Sequence, residues 1–464
     1  MQSRRDLRTG PIPGHFRALA VPAAIGMVFA TLYNVVDVYF AGLLSTGEQA
    51  GFAITFQIFF ILVAFGAGLG SAMGALIGNS LGSDDLASAK RTACQRLVFG
   101  AIVSVVLGVS GIWGSPTLLA IISEPGSARD AANAYINLLL FATAPFLLAF
   151  CANGILGALG DTQSMKRAQI AAFFANVALN PLFIFGIPGV TGGFGFNGIA
   201  LSTVVSQTGV MAYLLLQVSR SSLMAHDAPA VWKPRLADFR EITGQALPAT
   251  FAWMVLLIAG FVVQYHLKSF GTAAQAAYVI ALRIEQLILL PGLALTNALL
   301  PIAAQCYGAR DFDRMCEAFW FCVKAGTGMM LIGAVALWVL ARPMMALFTD
   351  DPDVIRLGGD YLHVDGFILP VYLALFALNS LLQALKRPGV TVWIGLYRQA
   401  FAVAFFTWLL VEVFGLGTWG VWFGIAISVV TGFAVALAVT QWISRPLMGG
   451  LLRGGSETAP IRAA

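Results

Sequence analysis

Five polar side chains in the first half of the chain are of the types that bind a proton or a small cation. They are one carboxyl, two amides, one hydroxyl and one phenol, contributed by Asp37, Asn176, Asn180, Thr203 and Tyr135. Each lies in a long apolar stretch, where a lone carboxylate costs about 2.5–3.5 kcal/mol to insert into a bilayer. Hard oxygen donors at such positions are typical of the ion sites of secondary transporters. We therefore interpret these five residues as a candidate cation-coupling site. The alternatives are that Asp37 reaches interfacial water, and that Asn176 and Thr203 only form hydrogen bonds between helices.

Twelve apolar stretches must position these side chains, and each is long enough to cross a bilayer. The composition is 59% hydrophobic and 11% charged, whereas soluble domains carry about 25% charged residues. We predict an all-α polytopic membrane protein with twelve transmembrane helices. The predicted spans are 17–40, 50–78, 93–113, 133–158, 166–186, 196–219, 246–268, 277–303, 318–340, 360–385, 391–413 and 419–443.

The distribution of basic residues predicts the orientation of these spans. Of the 27 Lys and Arg residues, 21 are assigned to one side of the membrane and 4 to the other, and Arg283 and Lys324 are left within spans. The positive-inside rule then places both termini in the cytoplasm, as an even number of spans requires. We expect a multi-pass protein of a bacterial inner (plasma) membrane. The basic residues form no continuous stripe, so the net charge of +5 does not indicate a nucleic-acid partner.

With this orientation the five candidate residues come from four spans and share one depth. Asp37 lies near the outer end of the first span, and Tyr135 lies just inside the outer end of the fourth. Asn180 is about six residues from the outer end of the fifth span, and Asn176 is one turn deeper on the same face. Thr203 is about seven residues inside the sixth span. Pro181 follows Asn180, so we expect a kink and a freed backbone carbonyl there.

A polar stretch, residues 220–245, separates two copies of one pattern. The predicted domains are an N-terminal six-helix lobe with the cation site, 1–219, a cytoplasmic linker, 220–245, and a C-terminal six-helix lobe, 246–464. The copies align without a gap at one constant difference in residue number, which we call the repeat offset. At this offset Ala20-Val21-Pro22-Ala23 matches Ala246-Leu247-Pro248-Ala249, and Asn79-Ser80-Leu81-Gly82 matches Gln305-Cys306-Tyr307-Gly308. Six spans per copy give both copies the same topology. Parallel repeats of this kind build transporters with a site between the halves.

The second copy lacks the polar set of the first, because Val263 occupies the position of Asp37. It has four ionisable residues of its own within predicted spans: Arg283, Glu285, Lys324 and Asp365. Residues two apart on a helix do not face each other, so Arg283 and Glu285 each need another partner. Two interpretations stay open, a structural ion-pair network and a secondary proton or substrate site.

Neither enzyme chemistry nor a metal site is indicated by the remaining residues. The five cysteines form no CxxC, and the four histidines show no metal-ligand spacing. There is no P-loop, which argues against ATP as the energy source. We predict a protein that is not an enzyme and has no cofactor besides a coupling ion, H⁺ or Na⁺.

Several stretches together resemble the multidrug and toxic compound extrusion (MATE) family, in particular the branch named after DNA-damage-inducible protein F. They are Val21-Pro22, Tyr33-Asn34-Val35-Val36-Asp37, Asn176-x-x-x-Asn180-Pro181-Leu182-Phe183-Ile184-Phe185-Gly186, Gly198-Ile199-Ala200-Leu201-Ser202-Thr203 and Arg283-Ile284-Glu285-Gln286. The resemblance covers essentially the whole chain. It implies two six-helix lobes around a central cavity, and export of organic, often cationic or amphipathic compounds. It also implies rocker-type alternating access driven by H⁺ or Na⁺, with the family's cation site on Asp37, Asn176, Asn180 and Thr203, and Tyr135 nearby.

One position departs from that branch, in which many members have aspartate where this chain has Asn180. A single carboxylate fits proton coupling better than sodium coupling. The hypothesis is therefore a secondary antiporter that uses H⁺ (or Na⁺), with Asp37 as its coupling carboxylate. The alternative is a lipid or polysaccharide-precursor flippase of the same superfamily, which would need a strongly cationic cavity. We expect an organic small-molecule substrate and a monomer, since the internal repeat already supplies two halves.

Overall fold

Twelve helices long and apolar enough to cross a membrane make up most of the computed structural model, which describes residues 5–44, 46–187, 191–225 and 232–451. Their number confirms the predicted all-α membrane fold. We number them α1 (Ile12–Leu44), α2 (Ala50–Gly82), α3 (Leu86–Ile121), α4 (Ser127–Ala158), α5 (Gln163–Phe185), α6 (Phe196–Ser219), α7 (Leu236–Phe270), α8 (Thr272–Gly308), α9 (Phe312–Ala346), α10 (Pro352–Ala384), α11 (Pro388–Val413) and α12 (Thr418–Leu447).

Several helices extend beyond the predicted spans, because helical structure continues past the most apolar window. Helix α3 begins at Leu86, where the Asp85 side chain accepts a hydrogen bond from the backbone N–H of Ser88 at 2.8 Å and caps the helix. Helix α7 begins at Leu236, so residues 236–245 of the predicted linker are helical. Residues 226–231 of that linker lie outside the described residues.

Some segments depart from regular α-helix. A 3₁₀ turn, Leu140–Ala142, interrupts α4, and α11 contains two π-helical stretches, Tyr397–Ala402 and Leu409–Val413. After α5, β1 (Gly186–Ile187) and β2 (Thr191–Gly192) pair as a short antiparallel hairpin. A π-turn adds a residue to one helical turn and so changes which side chains point inward.

The predicted repeat is visible in backbone details that the repeat offset relates. Asp85 and Asp311 each cap a helix by accepting a hydrogen bond three residues on, from Ser88 and from Arg314. The residues just before them, Asp84 and Arg310, both have a φ of 58°. Equal turns and caps at a constant offset confirm that α1–α6 (the N-terminal lobe) and α7–α12 (the C-terminal lobe) are parallel copies.

The two lobes meet through an exchange of their first helices. Helix α1 packs on α8 of the other lobe, and α7 packs on α2. Buried residues near the start of α1, among them Phe16 and Leu19, belong to a core shared with α8, α9 and α10. Farther along α1, Tyr33 belongs to the core of the N-terminal lobe. We call the end of the bundle where α1 begins the terminal face, and the other end the opposite face.

Candidate functional site

Asp37 lies on α1 within the N-terminal lobe and is 3% exposed. It is seven residues before the end of α1 at Leu44, about 10 Å from the opposite face at 1.5 Å per residue. Its neighbours come from α5 and α6, which pack against each other beside α1. A buried carboxylate requires hydrogen-bond donors, and the surrounding side chains supply them.

Three side chains donate hydrogen bonds to this carboxylate. The Nδ2 atoms of Asn176 and Asn180 each lie 2.9 Å from Oδ1 of Asp37. Oγ1 of Thr203 lies 3.4 Å from Oδ2 of Asp37. Asn180 Nδ2 also donates to Oδ1 of Asn176 at 3.2 Å, which fixes the two amides relative to each other. The site is therefore a carboxylate enclosed by three donors, and the donor amides are fully buried.

Tyr135 completes the predicted set from α4. Its ring lies between Phe52 and Phe196, with centroid distances of 5.5 and 5.0 Å. The phenol interacts electrostatically with Asp37 and, through its hydroxyl, with Thr203. The structure thus brings all five residues of the predicted set together.

A second hydroxyl pair lies one helical turn nearer the terminal face, and it was not predicted from the sequence. The hydroxyls of Tyr33 and Ser206 are 2.7 Å apart and buried. Ser202 connects this pair to the carboxylate site, because its Oγ accepts from Asn176 Nδ2 at 3.4 Å and its carbonyl accepts from Ser206 Oγ at 2.8 Å. Tyr33 could have been found from its position four residues before Asp37, on the same helix face.

One acceptor oxygen of the site has no assigned donor. Oδ1 of Asn180 is buried and has no hydrogen-bond partner among the described residues. Helix α5 continues through Pro181 to Phe185 without interruption. Because proline has no N–H, Pro181 cannot donate to the carbonyl of Val177, and a role of that carbonyl at the site stays a prediction.

The four ionisable residues predicted in the C-terminal lobe do not form one network. Arg283 and Lys324 are exposed, whereas Glu285 and Asp365 are buried. Arg283 lies two residues from Glu285, so the helix turns it to a different face. The structure therefore separates the two predicted bases from the two predicted acids.

The two buried acids differ in their hydrogen bonding. Oε2 of Glu285 accepts from the Tyr361 hydroxyl at 2.6 Å, and both oxygens of Asp365 are without a hydrogen-bond partner among the described residues. Arg398, in the first π-helical stretch of α11, lies over the Tyr372 ring at 5.6 Å and interacts with Glu285. We call Glu285, Asp365 and Arg398 the C-lobe charge cluster.

Two buried arginines correct the charge count made from the sequence. That count placed Arg96 and Arg398 at the cytoplasmic ends of helices, although both positions lie inside predicted spans. Arg96 is fully buried, and its Nη1 donates to the carbonyls of Ala72 and Met73 at 3.0 Å each. Because α3 begins at Leu86, Arg96 lies well inside the bundle. The positions of Arg96 and Arg398 inside predicted spans could have identified both as buried.

The arrangement is suited to exchange of a small cation. Among the described residues, no group of three or more His, Cys, Asp or Glu side chains could hold a metal ion. What the N-terminal lobe offers is one carboxylate, three donors and one acceptor oxygen, Oδ1 of Asn180, that has no hydrogen-bond partner among the described residues. Such a set can hold and release a proton, or can turn its amide oxygens toward a sodium ion.

The sequence is similar to those of known transporters. The sequence model of the MatE family matches residues 22–182 and 248–409, two stretches whose starts are related by the repeat offset. The chain is 25% identical over 421 residues to the probable multidrug resistance protein YpnP of Bacillus subtilis (strain 168), covering 89% of this chain and 92% of that protein. It is 25% identical over 445 residues to the FAD transporter of Shewanella oneidensis, covering 95% of this chain and 94% of that protein.

The fold is also that of solved transporters. The outward-facing conformation of a multidrug resistance MATE family transporter of the MOP superfamily superposes with a TM-score of 0.87 at 23% identity. The superposition covers 96% of this chain and 99% of that one. This likeness shows a shared fold of two helical lobes.

Proposed function

Because this chain belongs to the MATE family, we propose that it is a secondary antiporter that exports organic compounds and takes up protons through Asp37. The family membership rests on matched stretches in both lobes, and relatives with similar sequences are named a probable multidrug resistance protein and a multidrug export protein. Membrane transport of small molecules is thus the coarse function. Coupling to protons, and the part of Asp37 in it, are the proposed additions.

The observation that carries the proton assignment is the direction of the hydrogen bonds at Asp37. Both amides present N–H groups to Oδ1, and the Thr203 hydroxyl donates to Oδ2. A proton added to Oδ2 needs only one change, since a hydroxyl can accept as well as donate. Thr203 then accepts from the protonated carboxyl and the two amide hydrogen bonds stay in place.

A sodium ion would need a larger rearrangement of the same residues. Sodium is bound by oxygen atoms, so Asn176 and Asn180 would have to turn their carbonyl oxygens inward and give up their bonds to Asp37. The buried amide N–H groups would then need new acceptors, and an unpaired buried donor costs about 1–3 kcal/mol. The site also holds one carboxylate rather than two. These features favour H⁺ over Na⁺.

The position of Asp37 on α1 suggests how the bound proton is linked to lobe movement. The beginning of α1 packs in the core of the C-terminal lobe, and Asp37 lies among helices of the N-terminal lobe. A change in how strongly the N-terminal lobe holds Asp37 therefore acts on a helix that contacts both lobes. Rocker-type alternating access needs such a connection.

The C-lobe charge cluster is proposed as a second ionisable site of the transporter. Asp365 is 0% exposed with both oxygens unpaired among the described residues, which is costly unless a proton or a cation occupies the site. Glu285 interacts with Asp365 on one side and with Arg398 on the other. Of the two interpretations of these acids, we propose the secondary proton or substrate site.

We also propose the topology and domain limits expected from the charge distribution. The terminal face is cytoplasmic in a bacterial inner membrane, and the lobes are joined by the predicted linker 220–245, of which residues 236–245 belong to α7. The monomeric state and the narrower resemblance to the DNA-damage-inducible branch stay predictions. The flippase alternative is not favoured, because the named relatives are drug and FAD transporters.

Proton release on substrate binding tests the proposal directly. Ethidium, a fluorescent organic cation, is added to purified protein in weakly buffered detergent solution at near-neutral pH while a pH indicator is recorded. We expect the native protein to release protons as it binds ethidium and Asp37→Asn to release fewer, because Asp37 is proposed to give up its proton when the substrate binds. Binding without proton release in the native protein, or equal release by both proteins, would contradict the coupling role of Asp37.

A further inference from the structure

Two amide side chains cross between the lobes near the terminal face, in positions related by the repeat. Nδ2 of Asn79, at the end of α2, donates to the carbonyl of Ala384 in the C-terminal lobe at 3.1 Å. Nε2 of Gln305, at the end of α8, donates to the carbonyl of Ala158 in the N-terminal lobe at 2.8 Å. The repeat offset relates the two donors to each other, and it relates the two acceptors in the same way. We call this reciprocal pair the amide lock.

Two glycines let the helices that carry the amide lock approach each other. A Cβ atom on Gly82 would collide with the backbone carbonyl of Gln305, and one on Gly308 would collide with the carbonyl of Asn79. These glycines also occupy equivalent positions in the two copies of the repeat. The ends of α2 and α8 are thus in backbone contact, and the passage between the lobes is closed at this level.

The first described residues add a third connection on the same face. Residues 5–11, which we call the N-terminal strap, precede α1 and lie across both lobes. The backbone N–H of Leu7 donates to Oε1 of Gln305 at 3.0 Å, so the Gln305 amide holds the strap and the N-terminal lobe at once. Leu7 itself is 0% exposed and packs in the core that contains Cys306 and Met315. On the side of the N-terminal lobe, the backbone N–H of Arg5 donates to the carbonyl of Leu159 at 3.2 Å.

Two arginines connect the strap to the two lobes, Arg8 of the strap itself to the N-terminal lobe and Arg314 of the C-terminal lobe to the strap. Nη1 of Arg8 lies 2.6 Å from Oδ2 of Asp84 and donates to the carbonyl of Gly82 at 3.0 Å. Arg314 of the C-terminal lobe donates to the carbonyls of Leu7 and Gly10 at 3.3 and 2.7 Å. Hydrogen bonds to Asp6 and Asp84 raise the pKa of Arg8 above its already high value, so Arg8 stays cationic at physiological pH.

We propose that the amide lock and the N-terminal strap together hold the transporter closed on the terminal face, and that both must release before a cavity opens there. This inference rests on the proposed alternating access, because a transporter of this type must also open toward the face that is closed here. Every contact named above joins residues of different lobes, or joins the strap to one of them. Separation of the lobes at this face therefore breaks the amide lock and releases the strap from at least one of the two lobes.

Removal of the lock amides should shift the balance between the two conformations. In the closed state, loss of the Gln305 amide leaves the Leu7 N–H and the Ala158 carbonyl buried without these partners. In a state open to this face, water satisfies both groups. The penalty thus falls on the closed state, and we expect each single substitution to raise the open-to-closed ratio about fivefold and the double substitution more.

Distance measurements between spin labels test this without a transport assay. Labels are placed at Ser83 and Ala309, exposed on the terminal face, and in a second sample at Glu124 and Asp350, exposed on the opposite face. Cys316 is replaced by alanine, since the other four native cysteines are buried. Electron–electron double resonance in lipid nanodiscs then gives a distance distribution for each face.

The test variants are Gln305→Met, Asn79→Leu, their combination, and Arg8→Gln for the strap. Their matched controls are Gln286→Met on the exposed face of the same helix, and Arg387→Gln, an exposed arginine of the terminal face. We expect the lock and strap variants to gain a longer distance at 83–309 and a shorter one at 124–350, and the controls to keep the native distributions.

The results separate this proposal from the proposed proton coupling. Native-like distributions in the folded double variant, or equal shifts in the controls, would overturn the lock. A shift in the lock variants supports it even if Asp37→Asn releases as many protons as the native protein. To show that the variants are folded, each must keep a monodisperse elution profile and the native thermal midpoint within a few degrees.

Discussion

Replacement of Asp37 by asparagine should separate coupling from stability. The substitution keeps the shape of the side chain and retains Oδ1, which accepts from both Asn176 and Asn180. Hydrogen bonds to a charged acceptor contribute about 1.5–3 kcal/mol, and those to a neutral acceptor about 0.5–1.5 kcal/mol. Three weakened hydrogen bonds therefore lower the free energy of unfolding by about 3 kcal/mol.

The same substitution removes a buried charge, which works in the opposite direction. A carboxylate at this depth costs about 2.5–3.5 kcal/mol in the membrane. The two contributions nearly cancel, so we expect the free energy of unfolding to change by no more than about 1 kcal/mol. The thermal midpoint should then move by only a few degrees. Without a titratable group, however, proton-driven transport should fall to the background leak.

Two assays on one preparation check both halves of this prediction. Thermal unfolding in detergent gives the midpoint, and ethidium transport in proteoliposomes under an imposed pH gradient gives the coupled rate. Asp130→Asn, which changes an exposed acid near the opposite face, serves as the control and should behave like the native protein in both. Native rates of proton-driven transport in Asp37→Asn, or destabilisation by more than about 3 kcal/mol, would refute the reasoning.

Three other substitutions probe neighbouring features. Asn180→Asp places a second charge about 4 Å from the first, and the two repel each other by about 4 kcal/mol at an effective dielectric constant of about 20. Because a bound cation relieves this repulsion, ethidium transport should become sodium-dependent. Continued independence of sodium would contradict this. Thr203→Val removes the hydroxyl that accepts a hydrogen bond from the protonated Asp37 carboxyl and should reduce the proton-driven rate about tenfold, while Thr203→Ser should retain it. Equal rates for the two would contradict that role. Arg96→Met removes a fully buried guanidinium whose Nε and Nη2 are unpaired among the described residues. The free energy of unfolding should stay equal or rise by about 1–4 kcal/mol. A clear decrease would show that the two hydrogen bonds from Arg96 to backbone carbonyls outweigh the cost of burying its charge.

The carboxylate site could be predicted because polar residues are rare in these helices. One or two side chains of this kind per apolar stretch, at one common depth, were enough to group Asp37 with Asn176, Asn180 and Thr203. What depth alone does not give is the direction of each hydrogen bond. Ser202 and Ser206 were not predicted, because serine is common in membrane helices and often donates only to a backbone carbonyl of its own helix. Ser206 also makes such a bond, to the carbonyl of Thr203.

The charged residues of the second lobe were harder to assign from the sequence. Arg283 and Lys324 lie within helices but face outward. When most of a helix is apolar, its hydrophobic periodicity does not show which side faces the interior of the bundle. Arg398 was counted as a charge at a helix end, whereas the π-helical stretch of α11 places it inside the bundle. The internal repeat, by contrast, was readable because its offset is constant, and the same offset relates Asn79 to Gln305 in the amide lock.

The choice of driving ion is the most direct test of proton coupling through the N-terminal lobe. Lipid vesicles that contain the purified native protein are loaded with ethidium. An inward proton gradient and an inward sodium gradient are then imposed in separate experiments, with the membrane potential clamped. We predict export driven by the proton gradient and no response to the sodium gradient. Export driven by sodium alone, or equal export with neither gradient, would contradict proton coupling at Asp37.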